Sequence, residues 1–223
     1  MWSGVPYSRR IACSQAIRYT FNSHSTMCMN AFEHVFCSSS FWRYVSQRRV
    51  LPWLLVGSRL GDHVLEIGAG YGAATADLRQ RAARVTSLEY DPKSLAKLKA
   101  RIKSGVGEPV CGDATGMPFA DQSFSSVIAV LILHHLKSPE LQGQAFAETF
   151  RVLRPGGVFL ALEINDSWLH HVGHIGSTFT PVAPSSAFAW LTRVGFSRVS
   201  IDFRRGGFRV SATRPREDSE AER

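Results

Sequence analysis

Val64-Leu65-Glu66-Ile67-Gly68-Ala69-Gly70-Tyr71-Gly72 decides the fold class. A short apolar run, His63–Ile67, enters a turn with glycine at every second position, and a helical pattern follows over Ala73–Arg84. Such a run reads as a buried strand and the glycines as the turn that leaves it. Glycine reaches positive φ at little steric cost and lets a ligand approach the backbone closely. In open α/β sheets ligands bind beyond the carboxyl ends of the strands. This turn is therefore the first candidate for a binding site.

The same rhythm continues outward. Val85–Glu89 reads as a strand, Pro92–Lys103 as a helix, Glu108–Cys111 as a strand and Ser126–Leu131 as a fully apolar buried strand. Ser138–Leu153 is a helix, opened by Ser138-Pro139 and closed before Arg154-Pro155-Gly156-Gly157. Val158–Glu163 is another strand. Alternating strands and helices predict an α/β fold, a doubly wound, mostly parallel sheet covered on both faces. The end of the chain differs. Ser185–Val194 reads as a helix ended by Gly195. Arg198–Arg204 and Phe208–Thr213 alternate around Gly206-Gly207, which predicts a C-terminal antiparallel hairpin.

Alone, the glycine turn is ambiguous. Gly68-x-Gly70-x-x-Ala73 also satisfies a dinucleotide-binding pattern, and Glu89 lies where a ribose-binding acid is expected. Three features favour another ligand. Glu66, inside the strand end, would repel a pyrophosphate and suit a cation. Gly112-Asp113-Ala114 places a further acid after the third strand. The chain also ends in a hairpin rather than a second mononucleotide-binding half.

Five segments carry a family resemblance: VLEIGAGYG (64–72), SLEYD (87–91), GDATGMPFADQSF (112–124), LHHL (133–136) and RVLRPGGVF (151–159). From about residue 60 to 213 the chain resembles the class I S-adenosylmethionine-dependent methyltransferases, and most of all their small type 11 branch, which includes quinone-ring methyltransferases. The resemblance implies a seven-stranded Rossmann-like sheet and S-adenosylmethionine as cofactor. It implies that Gly68, Ala69, Gly70 and Gly72 pass under the methionine portion and ribose, with Glu66 near the ammonium or sulfonium end. Glu89 would accept both ribose hydroxyls, Tyr90 would pack on the adenine face, and Asp113 with the Ala114 N–H would meet the adenine edge. The sequence departs from the pattern at Ser125, where relatives usually carry an acid. That departure is expected to alter the start of the fourth strand.

An activated sulfonium methyl transfers by in-line displacement, so alignment and water exclusion supply much of the rate. A base is needed only if the acceptor must lose a proton. His134 and His135, just after the fourth strand, are the catalytic candidates; the alternative is that they cap and bury the strand end. His170-His171-x-x-His174 could share a helical face only in part, and no Cys or carboxylate pattern completes a site, so no metal is expected. Glu163, Asn165 and Asp166 come after the fifth strand and either line the substrate side or cap a loop.

Composition bounds the rest. The chain has 223 residues, 44% hydrophobic and 20% charged, enough for one domain with a sizeable core. The longest aliphatic run, Val127–Leu133, is too short to span a bilayer. The net charge of +8 and pI of about 9.7 invite a nucleic-acid reading. The excess is +6 in residues 1–60, zero in 61–165 and +2 in 166–223, so the chemistry lies in a neutral segment. No Asn/Asp-Pro-Pro-aromatic motif comes after the fourth strand, and nucleic acid is not the expected partner. Four scattered cysteines argue for a reducing compartment, with Cys111 as a small strand hydrophobe.

The expected organisation is a disordered leader over 1–28, a helical cap over 29–60, the methyltransferase domain over 61–213 and a charged tail over 214–223. The leader's Arg- and Ser-rich, acid-poor composition also suits a transit peptide. The expected compartment is thus the cytoplasm, with the mitochondrion as alternative. The stretch 41–57 reads as one or two short helices broken near Pro52, either capping a site or packing on the core. The leading function is methyl transfer to a small, apolar or aromatic acceptor. The alternatives are a non-catalytic cofactor-binding module and a nicotinamide oxidoreductase.

Overall fold

The computed structural model describes residues 29–102 and 108–216. The expected leader, and the tail from residue 217 onward, lie outside the described residues. Seven strands form one sheet in the order β3-β2-β1-β4-β5-β7-β6. They are β1 (His63–Ile67), β2 (Arg84–Glu89), β3 (Glu108–Cys111), β4 (Phe124–Val130), β5 (Leu153–Ile164), β6 (Ser197–Arg204) and β7 (Gly207–Thr213). β1 to β5 pair in parallel. β7 runs antiparallel to both β5 and β6. The α/β class, the mostly parallel sheet and the closing hairpin are all as the sequence predicts.

Strand order reverses between β1 and β4, which are neighbours in the sheet. That boundary is the switch point at which a doubly wound sheet opens a crevice. The glycine turn leaves β1 there. Leu65, Ile67, Val127 and Ala129 belong to the main apolar cluster, on the face covered by the helix Pro139–Val152. Val64, Ile128, Leu160 and Leu162 point the other way and pack under Leu51, Leu54 and Leu78. Residues apolar on both sheet faces explain why β1 and β4 read as continuous hydrophobic runs.

The N-terminal cap is helical. Its elements are α1 (Ala31–Ser38), α2 (Ser40–Val45), a π-turn (Ser46–Val50) and α3 (Leu51–Leu54). Asn30 and Glu33 form a capping box at the start of α1. Pro52 does not break the segment as expected. It sits in the first turn of α3, where its missing N–H costs little. The next helices are α4 (Thr75–Leu78), α5 (Pro92–Arg101), α6 (Pro139–Val152), α7 (Trp168–Gly173) and α8 (Pro184–Val194).

Other boundaries differ for identifiable reasons. The helix expected over Ala73–Arg84 contracts to α4, because Asp77, Gln80 and Arg81 donate to carbonyls only three residues back. β5 begins at Leu153, not Val158. Its first residue pairs with Phe124, and an irregularity at Phe124/Ser126 absorbs the Arg-Pro-Gly-Gly segment. Ser125 helps fix that irregular start: its hydroxyl bonds the carbonyls of Leu60 and His63 and accepts from the His63 N–H. Cys111 is disulfide-bonded, which the scattered cysteine spacing does not announce. Among the described residues, no helix is long and apolar enough to cross a membrane.

Candidate functional site

A cavity of about 290 Å³ opens at the carboxyl ends of β1, β2 and β4. The glycine turn forms its floor. Gly68 and Gly70 adopt φ of +68° and +52°, the left-handed region that glycine enters freely. The two differ in what a side chain would meet. At Gly68 a Cβ would lie 2.5 Å from Ile132 Cγ1; at Gly70 it would meet nothing within 4 Å. Gly68 is needed for packing, and Gly70 presents bare backbone to open space.

Two carboxylates flank the turn. Glu66 is 3% exposed, and its Oε2 accepts from Thr75 Oγ1 at 2.5 Å and Ser87 Oγ at 2.9 Å. Burial pushes its carboxyl up to about 7, against those two hydrogen bonds. Glu89 accepts from the Gly70 N–H at 2.6 Å through Oε2 and the Asp91 N–H at 2.8 Å through Oε1. Burial raises Glu89 as well. Each oxygen keeps a second lone pair. A buried, partly satisfied acid on either side of a bare glycine backbone suits a ligand that brings hydroxyls and positive charge.

The expected site residues divide clearly. Glu66, Gly68, Ala69, Gly70, Glu89, Tyr90 and His135 line the cavity. Gly72, Asp113, Ala114 and His134 do not. Gly72 (φ +79°) packs on Leu98. Asp113 caps its own turn, with Oδ1 accepting from the Thr115 N–H and hydroxyl, both at 2.8 Å. Ala114 lies in the main core cluster.

Partners at the ends of β4 and β5 hold the histidines. Glu163, fully buried, accepts from the backbone N–H of Ile132 and Leu133 through Oε1 and lies 2.6 Å from His134 Nδ1 through Oε2. His135 donates from Nδ1 to the Thr178 carbonyl at 3.1 Å. Burial, then the neighbouring His134 imidazole, pull His135 down to about 3. Asn165 O meets His170 Nδ1, and Asp166 pairs with exposed His171. Asn165 and Asp166 thus serve their own loop, whereas Glu163 positions His134.

The cap supplies a wall that no motif advertised. Met29, His34, Phe36, Cys37 and Trp42 face the cavity. His34 Nδ1 meets the Tyr71 hydroxyl at 2.8 Å, joining α1 to the glycine turn. Asn30 donates to the carbonyls of Gly173 and Ile175. Cys37 is free, and burial pushes its thiol up to about 11, which keeps it protonated. The aromatic and Arg spacing of 41–57 hinted at a cap, but the contact residues lie mostly before it. A second hollow of about 520 Å³ lies between the hairpin and Gly156, lined by Arg198, Arg214 and Arg216 and by no acid or histidine. The converging acids and histidine single out the smaller cavity.

Residues 65–161 match the family model described as a methyltransferase domain. Over 110 residues the chain is 36% identical to a demethylmenaquinone methyltransferase of Beutenbergia cavernae, covering 49% of this chain and 44% of that protein. Over 112 residues it is 35% identical to a sterol 24-C-methyltransferase of Eremothecium gossypii, covering 48% and 29%. The chain thus spans about half the length, or less, of these curated relatives. Its fold matches the N-methyltransferase NodS of Bradyrhizobium japonicum solved with S-adenosylhomocysteine, with a TM-score of 0.63 and 17% identity over 78% of this chain and 88% of that one.

Proposed function

We propose that residues 65–161, which match the methyltransferase-domain model, form a class I S-adenosylmethionine-dependent methyltransferase domain of the type 11 branch, and that the protein methylates a small, apolar or aromatic acceptor. The observation that carries the reading is the bare Gly70 backbone between Glu66 and Glu89 at the floor of a cavity. When bound, S-adenosylmethionine supplies a sulfonium methyl already activated for displacement.

The chain's own residues hold and orient. Glu89 would accept ribose hydroxyls with the lone pairs left over from Gly70 and Asp91. Glu66 would face the cationic end, where a positive charge offsets the cost of burying its carboxylate. Tyr90, on the cavity wall, would pack on the adenine. Asp113 would meet the adenine edge through Oδ2, the oxygen its own turn does not use, together with the Ala114 N–H.

Two groups of residues would shape the acceptor side. Phe36, Trp42 and Met29 would exclude water and favour an apolar acceptor. The relatives named for demethylmenaquinone and sterol methylation support the same choice. His135 is the histidine placed to touch an acceptor, by accepting a hydrogen bond at Nε2. His134, tied to Glu163, is a positioning residue.

The test is methyl transfer from tritiated S-adenosylmethionine to a panel of quinols, phenols and sterols, alongside calorimetry with S-adenosylhomocysteine and NADH. Transfer to a member of the panel, reduced in Trp42→Ala, is expected. Labelling of RNA or protein alone would overturn the acceptor class. NADH binding without S-adenosylhomocysteine binding would overturn the cofactor.

A further inference from the structure

His134, His135 and His174 come together although the last is about 40 residues from the other two. One ring nitrogen from each lies within 4.8 Å of the others. The partners set the tautomers. His135 Nδ1 faces the Thr178 carbonyl and His174 Nδ1 the His170 carbonyl, at 3.1 and 2.6 Å. A carbonyl can only accept, so both Nδ1 atoms donate. His134 Nδ1 faces the Glu163 carboxylate at 2.6 Å and donates in the same way. In its neutral form each imidazole therefore carries its remaining lone pair on Nε2.

A fourth acceptor faces these nitrogens. Glu33 Oε1 lies 3.1 Å from His174 Nε2 and 4.0 Å from His135 Nε2. Glu33 is 7% exposed, and its Oε1 is a buried oxygen with no hydrogen-bond partner. Its other oxygen holds the Asn30 N–H. With the rings neutral, the Nε2 lone pairs of His135 and His174 thus face the Glu33 oxygen with no donor among them, and a ring nitrogen of His134 lies within 4.8 Å of a nitrogen of each. Buried acceptors left facing one another are costly. A cation between them removes that cost.

We propose that His134, His135, His174 and Glu33 bind a divalent transition metal of the zinc class. A set of three imidazoles and one carboxylate suits zinc and its neighbours, not the hard alkaline-earth ions. An ion placed centrally among three nitrogens no more than 4.8 Å apart would sit at most about 2.8 Å from each, so bonds of about 2.0–2.1 Å require each ring to move by no more than about 0.7 Å. The outer contacts are already those of a metal site: every imidazole is oriented through Nδ1, one of them by a carboxylate. The spacing of His170, His171 and His174 argues against a metal held by those three. His170 and His171 indeed turn to Asn165 and Asp166, and only His174 joins the cluster.

The ion would join three segments: α1 through Glu33, the exit of β4 through His134 and His135, and the end of α7 through His174. Because His135 also lines the cavity, the ion would stand at the cavity wall. His135 Nε2 would then be a ligand and not a hydrogen-bond acceptor for the substrate. Metal binding here does not depend on methyl transfer.

The test titrates the chelator-stripped full chain with Zn²⁺ by calorimetry and with Co²⁺ by visible absorption. One equivalent of Zn²⁺ is expected, with a dissociation constant below about 1 µM. Cobalt should give the intense visible bands of a four-coordinate site. His174→Ala and Glu33→Gln, each checked for folding by circular dichroism, should abolish the cobalt bands. Glu163→Gln should weaken zinc affinity by about 10–100-fold, whereas His171→Ala should leave it unchanged. A folded wild-type chain that takes up no stoichiometric zinc would overturn the proposal, leaving a proton shared by Glu33 and His174 as occupant. Zinc affinity equal in wild type and His174→Ala would overturn it as well, since binding would then lie elsewhere.

Discussion

Replacing Glu66 by Gln changes one atom of a carboxyl that the fold has almost wholly removed from water. In the folded protein the group titrates near 7, against an ordinary 4.5, and burial is the main cause. Between those two pH values the folded chain holds a proton that the unfolded chain has released. The stability contributed by the neutral carboxyl is therefore complete below pH 4.5 and is lost as pH rises through 7. At about 1.4 kcal/mol per unit the loss comes to about 3 kcal/mol. Glutamine is neutral throughout, and its side-chain oxygen can still accept from Thr75 and Ser87. Glu66→Gln should thus be close to wild type near pH 5 and gain on it by about 3 kcal/mol by pH 8. Urea unfolding of both proteins at pH 5, 6, 7 and 8 in one salt measures the difference, in which every other titrating group cancels. A difference constant within about 0.5 kcal/mol, the scatter of surface substitutions, would refute the reasoning that Glu66 is a desolvated charge. The same cost reverses when a cation arrives. Wild-type affinity for S-adenosylmethionine should rise from pH 6 to pH 8, while that of Glu66→Gln stays flat.

The two floor glycines should separate packing from binding. Gly68→Ala drives a methyl into Ile132 and should cost about 2–4 kcal/mol of stability. Gly70→Ala meets no atom and should cost only about 1–2 kcal/mol yet abolish S-adenosylhomocysteine binding by calorimetry; unchanged binding would remove the turn from the site. Glu89→Ala should weaken cofactor binding by about 1–3 kcal/mol, and equal affinity in a folded mutant would exclude Glu89. Asn30→Ala removes the N-cap of α1 and its bonds to residues 173 and 175, costing about 1 kcal/mol. Hydrogen exchange should then speed up in both segments, and acceleration in α1 alone would deny the link between them.

Features that depend on near neighbours were legible in the sequence. The strand, glycine turn and following acid of 63–91 sit within about thirty residues, and each reports on its own backbone. The closing hairpin is legible for the same reason. Convergence across the chain was not legible. Nothing local tells that Glu33 meets His174, or that Glu163 takes up the imidazole of His134. Asp113 shows the opposite limit: the motif points to a ligand, while the carboxyl caps its own turn. The extra length of β5 was hidden because Arg154-Pro155-Gly156-Gly157 reads as a turn, although the sheet carries it through as an irregularity.

The placement of β7 between β5 and β6 has a consequence for synthesis. β5 is an inner strand of the finished sheet, but its outer edge has no partner until β7 has left the ribosome, roughly fifty residues later. At about 5–20 residues per second that is a wait of about 3–10 s. During it, the run Val158–Leu162 offers an open and strongly apolar edge, the kind of template that pairs with other chains. A nascent chain stalled before residue 207 would carry that edge indefinitely. The burden on chaperones should therefore fall late in translation, and truncations that remove β7 should aggregate rather than leave a smaller working domain.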